Sequence, residues 1–256
     1  WGLCAQVDTQ LGRILQTLDD EGLAENTIVI FTSDHGDMMG SRRLLAKGVM
    51  YEESIRVPLL MRIPAGAELG GATAATGDAA GPSNTHGRPT AATPRRIQQP
   101  VSLVDLLPTI MELLEGSQAR EDAPGLHGRS LVPLLRGTLD PDDVVVEWNG
   151  PDTGVTSKQH GRPVIPKYLS ELGDPADLTD AVLDPLRTII TSDLWKASFS
   201  ARGEHRLYNL AEDPQERHNR AFDADQSERM RDLRVRLRAW QKRTDDLSPV
   251  TQEGQL

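Results

Sequence analysis

The stretch Thr27-Ile28-Val29-Ile30-Phe31-Thr32 constrains this chain more than any other. Each of these residues is β-branched or aromatic. An unbroken run of this length predicts a strand buried on both faces, as in the middle of a parallel sheet. The run stops abruptly at Ser33-Asp34-His35-Gly36. In open α/β sheets, ligands bind just past the carboxyl ends of the strands. A carboxylate, an imidazole and a glycine therefore arrive together where such a fold places its chemistry. Neighbouring strand residues point to opposite faces. For Asp34 and His35 to reach one centre, the chain must leave strand geometry there, and Gly36 makes a sharp turn easy.

Asp34 offers hard oxygens and His35 a neutral ring nitrogen, a donor pair suited to a divalent metal. Its mixed softness favours Mn, Fe or Zn, with Ca open if further oxygens complete the shell. Taken alone, these residues are better read as a turn with an exposed aspartate and a capping serine, because short motifs match often by chance. The residues that follow change the weighting. Asp37-Met38-Met39-Gly40 leads to Lys47-Gly48, the lysine thirteen residues after Asp34, and then to Tyr51-Glu52-Glu53-Ser54-Ile55-Arg56-Val57-Pro58-Leu59.

This pattern resembles the sulfatase family of the alkaline phosphatase superfamily. The Asp-His pair and the lysine spacing look closer to its choline-sulfatase and phosphonate-monoester-hydrolase branch than to arylsulfatases with Asp-Asn. The resemblance implies Asp34 and His35 as ligands of a divalent ion, Ca or Mn, with His35 and Lys47 as catalytic residues and Lys47 contacting the sulfate. It implies a small-molecule sulfate ester as substrate, or a phosphonate or phosphate ester. It also implies a formylglycine nucleophile made from the first residue of C/S-x-P-x-R. That pattern is missing: Cys4 is followed by Ala5 and Gln6, and no serine begins Ser-x-Pro-x-Arg. The nucleophile and the remaining metal ligands are therefore expected upstream of Trp1, which makes this chain the carboxy-terminal portion of a family member, inactive alone. The alternative is a non-catalytic remnant of the same fold.

Composition bounds the partners. The chain has 256 residues, 38% of them hydrophobic, enough for a sizeable core. A net charge of −10 argues against nucleic acid and anionic membranes. An anionic substrate would need local positive charge, from a metal and from Lys47. The single cysteine, Cys4, excludes an intramolecular disulfide, and its place in a helical segment predicts a small core residue. No stretch is long and apolar enough to span a membrane. No targeting segment is visible, which favours the cytoplasm, but the chain begins at Trp1 and this weakens the inference. A homo-oligomer is left open.

Along the chain, Leu3, Val7, Leu11, Ile14, Leu15 and Leu18 predict a helix over 3–21 that stops at Gly22. An apolar strand covers 57–63. Composition then shifts to Ala, Gly, Thr, Pro and Ser, and about 65–94 reads as a flexible surface insertion with His86 as a solvated loop residue. A strand is expected at 97–101. Ser102 and Asp105 suggest a capped turn that Pro108 interrupts, followed by a helix over 108–115 ending at Gly116. Val101–Thr109 and Pro124–Leu135 resemble two structural segments of the family, so Asp105 and His127 receive no catalytic role. Val144–Trp148 is a strand. Residues 149–185 form a variable region in which Lys158 and His160 are more plausible as solvated side chains than as pocket residues. Strands at 186–191, 194–200 and 205–208 make an antiparallel meander. A last helix over 223–243 places Met230, Leu233, Leu237 and Trp240 on one face and its arginines on a solvated one.

The expected fold is α/β. Residues 1–148 would form the carboxy-terminal part of an alkaline-phosphatase-like sandwich, a mostly parallel central sheet flanked by helices. Residues 149–256 would add the variable loop and a small antiparallel sheet closed by a helix.

Overall fold

Helix α1 runs from Gly2 to Asp20, as the heptad-like spacing of its leucines requires. It ends where Gly22 takes a left-handed φ of 67° and Leu23 N–H bonds back to the Leu18 carbonyl at 2.9 Å. The computed structural model describes residues 1–64, 95–118, 125–138, 142–149, 157–159, 162–164 and 173–251. The expected insertion at 65–94, with His86, lies outside the described residues, as does His160. By compactness the chain divides into two units, each discontinuous in sequence.

The first unit takes in Trp1–Ser33, Pro58–Gln98 and Val104–Asp140. It holds α1, strands β1 (Val29–Thr32) and β2 (Leu59–Arg62), and helices α3 (Leu106–Glu115) and α4 (Val132–Arg136). The predicted parallel setting of β1 is corrected here: β1 pairs with β2 antiparallel, Val29 opposite Arg62 and Thr32 opposite Leu59, and its residues are half-buried. An apolar run fixes how much of a strand wants to leave water, but it does not encode the direction of its partner. Cys4 also departs from expectation, being exposed. No α1 residue is buried; Leu3, Val7, Leu11 and Leu15 instead line an open groove of about 800 Å³ with Val29, Phe31, Leu60 and Met61.

Pro108 does not interrupt its helix. It lies in the first turn of α3, where the missing N–H has no intrahelical acceptor to lose. Asp105, buried, accepts the Arg129 N–H at 3.0 Å. Thr109 Oγ accepts the Leu131 N–H at 2.8 Å. Gly128 lies so close to the Val104 carbonyl that a Cβ would come within 2.0 Å of its oxygen. The two segments read as structural are thus tied to each other by backbone-to-side-chain bonds. The strand expected at 97–101 does not form.

The second unit comprises Asp34–Val57, Gln99–Leu103 and Pro141–Leu256. Helix α2 is Glu52–Ile55. Strands β3 (Val144–Trp148), β6 (Leu186–Ile190), β7 (Trp195–Ser200) and β8 (Arg206–Asn209) form an antiparallel sheet in the order β3-β6-β7-β8. The expected meander is its β6-β7-β8 part, with β3 added at the edge. A two-stranded hairpin, β4 (Ser157–Gln159) with β5 (Arg162–Val164), and helix α5 (Pro175–Leu183) occupy the region read as variable. Asp174 caps α5 by accepting the Ala176 N–H at 2.8 Å.

Helix α6 (Ser227–Thr244) covers one face of the sheet. Trp195, Ala197 and Phe199 alternate along β7 and pack with Ile189, Leu207, Met230, Leu233 and Leu237 in one core. One of the helix arginines breaks the expected pattern: Arg234 is buried, bonded to His205 Nε2 at 3.0 Å, with Phe199 beneath its guanidinium at 5.1 Å. Burial pushes its pKa down. At the end of the sheet, Arg187 is 2% exposed and grips Asp246 through two bonds, Nε–Oδ2 at 2.8 Å and Nη2–Oδ1 at 2.7 Å.

Two measurements test this packing. Leu237→Ala should lower the unfolding free energy by about 2–5 kcal/mol in urea, the range for emptying a fully buried leucine site. Asp246 is held down to about 2 by Arg187, below its usual 3.8. A depressed acid contributes stability that is complete above its unfolded pKa and is lost as pH falls through the folded one. Stability should therefore fall by about 2 kcal/mol between pH 4 and pH 2 on this account, and Asp246→Asn should flatten that leg of the profile.

Candidate active site

Past Thr32 the backbone leaves strand geometry, and the turn that carries Asp34 and His35 is fixed to α2 through Gly36. Gly36 N–H bonds to the Ser54 carbonyl at 2.8 Å. A Cβ at Gly36 would sit 2.1 Å from the Glu53 carbonyl oxygen, so two backbone segments touch there and only glycine fits. His35 Nδ1 lies 2.7 Å from the Gly36 carbonyl, a contact that assigns the ring proton to Nδ1. Nε2 is then the basic atom, and it faces Asp34 Oδ2 at 3.4 Å. Asp34 Oδ1 accepts the N–H of His35 at 2.9 Å.

The sequence expectation that Asp34 and His35 turn toward each other is met by this geometry. Two electron-rich atoms facing each other call for positive charge between them, either a second ring proton or a cation. A ligand histidine whose other nitrogen donates to a backbone carbonyl is the common arrangement around metals. The pair is accessible, Asp34 being 82% exposed in its side chain and His35 39%. Oxygen and imidazole donors at this separation fit part of a divalent shell. Among the described residues no group of three or more His, Cys, Asp or Glu could hold an ion, so the pair is an incomplete set.

Lys47 is exposed, and among the described residues no hydrogen bond or ion pair joins it to Asp34 or His35. Its loop is closed by Met38 N–H to the Ala46 carbonyl at 2.7 Å and by Gly40 N–H to the Leu44 carbonyl at 2.9 Å. Gly48, at φ 92°, sets the position after Lys47; a Cβ there would press to 3.1 Å on the ring of Trp148. Met39, Arg42, Arg43 and Ala46 all take positive φ, at about 1 kcal/mol or more each for a side-chain-bearing residue. Ser41 donates to Glu53 Oε1 at 2.6 Å, and that bond holds the Glu53 carboxyl below its usual range.

One cluster escaped the sequence reading. Lys196 on β7 is wholly buried, and its Nζ lies 2.9 Å from Glu52 Oε1 and 2.8 Å from Glu216 Oε1. Glu216 Oε2 accepts the Glu52 N–H at 2.7 Å. Burial pushes the Glu216 carboxyl up while Lys196 pulls it down. Beside the cluster, Tyr208 is raised to about 12, chiefly by burial. The available signal was Lys196 standing as the one charge in Trp195-Lys196-Ala197-Ser198-Phe199. A lysine on a strand with both faces covered must have an acid, but sequence does not say which. Its removal gives a test: Lys196→Ala should cost about 3–5 kcal/mol in urea unfolding, because two carboxylates are left beside each other without their cation.

Known proteins resemble this chain. Residues 1–117 match the Sulfatase family model. The chain is 35% identical over 144 residues to the uncharacterized sulfatase YidJ of Escherichia coli, covering 56% of this chain and 22% of that protein. It is 30% identical to the choline-sulfatase of Rhizobium meliloti, over 70% of this chain and 30% of the relative. The crystal structure of the phosphonate monoester hydrolase of Agrobacterium radiobacter superposes with a TM-score of 0.62 at 28% identity, over 96% of this chain and 40% of that one. The chain spans between about a fifth and a half of the length of the curated relatives it matches. The α/β class, the antiparallel carboxy-terminal sheet and these matches agree that residues 1–117 belong to the sulfatase family of the alkaline phosphatase superfamily.

Proposed function

We propose that this chain carries part of the active site of a hydrolase of small-molecule sulfate esters. The observation that carries the reading is the Asp34–His35 pair, with the ring proton fixed on Nδ1 and Nε2 facing the carboxylate at 3.4 Å. On this reading both side chains hold a divalent ion, Ca or Mn, with other ligands from outside the described residues. When bound, such an ion supplies positive charge where a sulfate monoester concentrates negative charge in the transition state.

This chain's own residues have separable tasks. Gly36 lets the backbone come close enough to α2 to aim Asp34 and His35. The Gly36 carbonyl keeps the His35 tautomer that leaves Nε2 basic. Lys47 presents a compact ammonium from an exposed loop, suited to one sulfate oxygen. The formylglycine that the family resemblance implies has no matching motif in these residues, so no step is assigned to it. No described helix is long and apolar enough to cross a membrane.

A phosphonate or phosphate ester is the second reading, favoured by the match to a phosphonate monoester hydrolase. Sulfate and phosphonate monoesters share the peripheral anionic oxygens that Lys47 would meet. The test is a paired assay of metal content and turnover in the full-length enzyme, with an aryl sulfate and an aryl phosphonate monoester. Asp34→Ala should lose metal and nearly all turnover. Lys47→Ala should keep the metal and lose roughly 10²–10³ in kcat, the scale of one transition-state charge contact. Full metal content in Asp34→Ala would remove the ligand role, and an unchanged kcat in Lys47→Ala would remove the anion contact.

A further inference from the structure

The loop between Asp37 and Gly48 holds an uncommon density of left-handed backbone. Met39 at 47°, Gly40 at 90°, Arg42 at 54°, Arg43 at 61°, Ala46 at 61° and Gly48 at 92° all lie in that region. Residues with side chains keep such angles only where surrounding contacts over-determine them. The ends of the loop are fixed by the Met38–Ala46 and Gly40–Leu44 backbone bonds and by Gly48 on Trp148. Its middle is fixed by Arg42. The Arg42 guanidinium donates to the Gln215 carbonyl and, at 2.8 Å, to the Glu216 carbonyl. It also stacks over the Tyr51 ring at 4.0 Å.

Of the three anchors of Arg42, Glu216 belongs to the buried cluster and Tyr51 adjoins it. Glu216 is held by Lys196 and by the Glu52 N–H. Tyr51 precedes Glu52 in the chain, and its ring also meets Arg206 at 5.2 Å. A planar fork that bonds two carbonyls and stacks on a ring fixes orientation in a way an ammonium does not.

We propose that Arg42 is a positioning residue for Lys47: it locks the strained loop so that the ammonium is presented in one place to the group being transferred. This rests on the reading of Lys47 as an anion contact. Without Arg42 the left-handed residues relax toward ordinary backbone, and Lys47 spreads over many positions. A misplacement of about 1 Å at a reacting centre can cost 10²-fold in rate.

The test is a double-mutant cycle in the full-length enzyme, with 4-nitrophenyl sulfate and a phenylphosphonate monoester as probes. Arg42→Ala should lower kcat by about 10- to 100-fold with metal content unchanged. In a Lys47→Ala background the same substitution should change kcat less than about twofold, because the contact it serves is already gone. Equal losses in both backgrounds would show that Arg42 does not act through Lys47 and would overturn the proposal. Trypsin gives a readout independent of turnover: cleavage after Arg43 and after Lys47 should speed up in Arg42→Ala, and more weakly in Arg42→Lys. Unchanged cleavage would overturn the lock. If the wild-type enzyme turns over neither ester, the role of Lys47 falls and this proposal falls with it, whatever trypsin reports about the loop.

Discussion

The second unit depends on one buried charge. Lys196 has no exposure to water, and an unpaired ammonium in that position would be prohibitive. Its two acids come from distant parts of the chain, Glu52 at the start of α2 and Glu216 in the turn after β8. The second oxygen of Glu216 takes the Glu52 N–H, so the first turn of α2 is fixed as well. A charge that must be neutralised thereby fixes three segments together, and the ion pairing gives more in definition than in net stability, since desolvation consumes most of the attraction.

From that anchor the candidate site follows by short steps. Helix α2 presents the Ser54 carbonyl to Gly36 and the Glu53 carboxylate to Ser41. The first contact aims Asp34 and His35, and the second steadies the loop that bears Lys47. Asp34 and Lys47 are exposed and His35 is half-buried, while the Ser54 carbonyl that holds Gly36 belongs to a buried residue. That division suits a site that must admit a ligand yet keep its geometry.

The opposite face of the sheet obeys simpler rules. Period-two alternation on β7 sends Trp195, Ala197 and Phe199 against α6, and the apolar stripe of α6 meets them. Arg187, near the start of β6, holds Asp246 with a two-pronged bond. In the first unit, α1 and the β1–β2 pair leave an apolar groove open, a surface more extensive than isolated apolar residues would make.

Local pattern alone determined much of this. The α1 stripe, the strands of the meander, the core face of α6 and the ends of helices at Gly22 and Gly116 are all properties of neighbouring residues, whose spacing and backbone freedom are written in the chain. So was the meeting of Asp34 with His35, because adjacent residues before a glycine have few ways to turn. Tertiary structure decided what depends on partners far along the sequence. The antiparallel partner of β1, the exposure of Cys4, the burial of Arg234 against His205 and the acids chosen by Lys196 required the fold itself. Composition marks each of these groups as apolar or charged, but burial and pairing are set by which segments arrive beside them, and no local spacing encodes that.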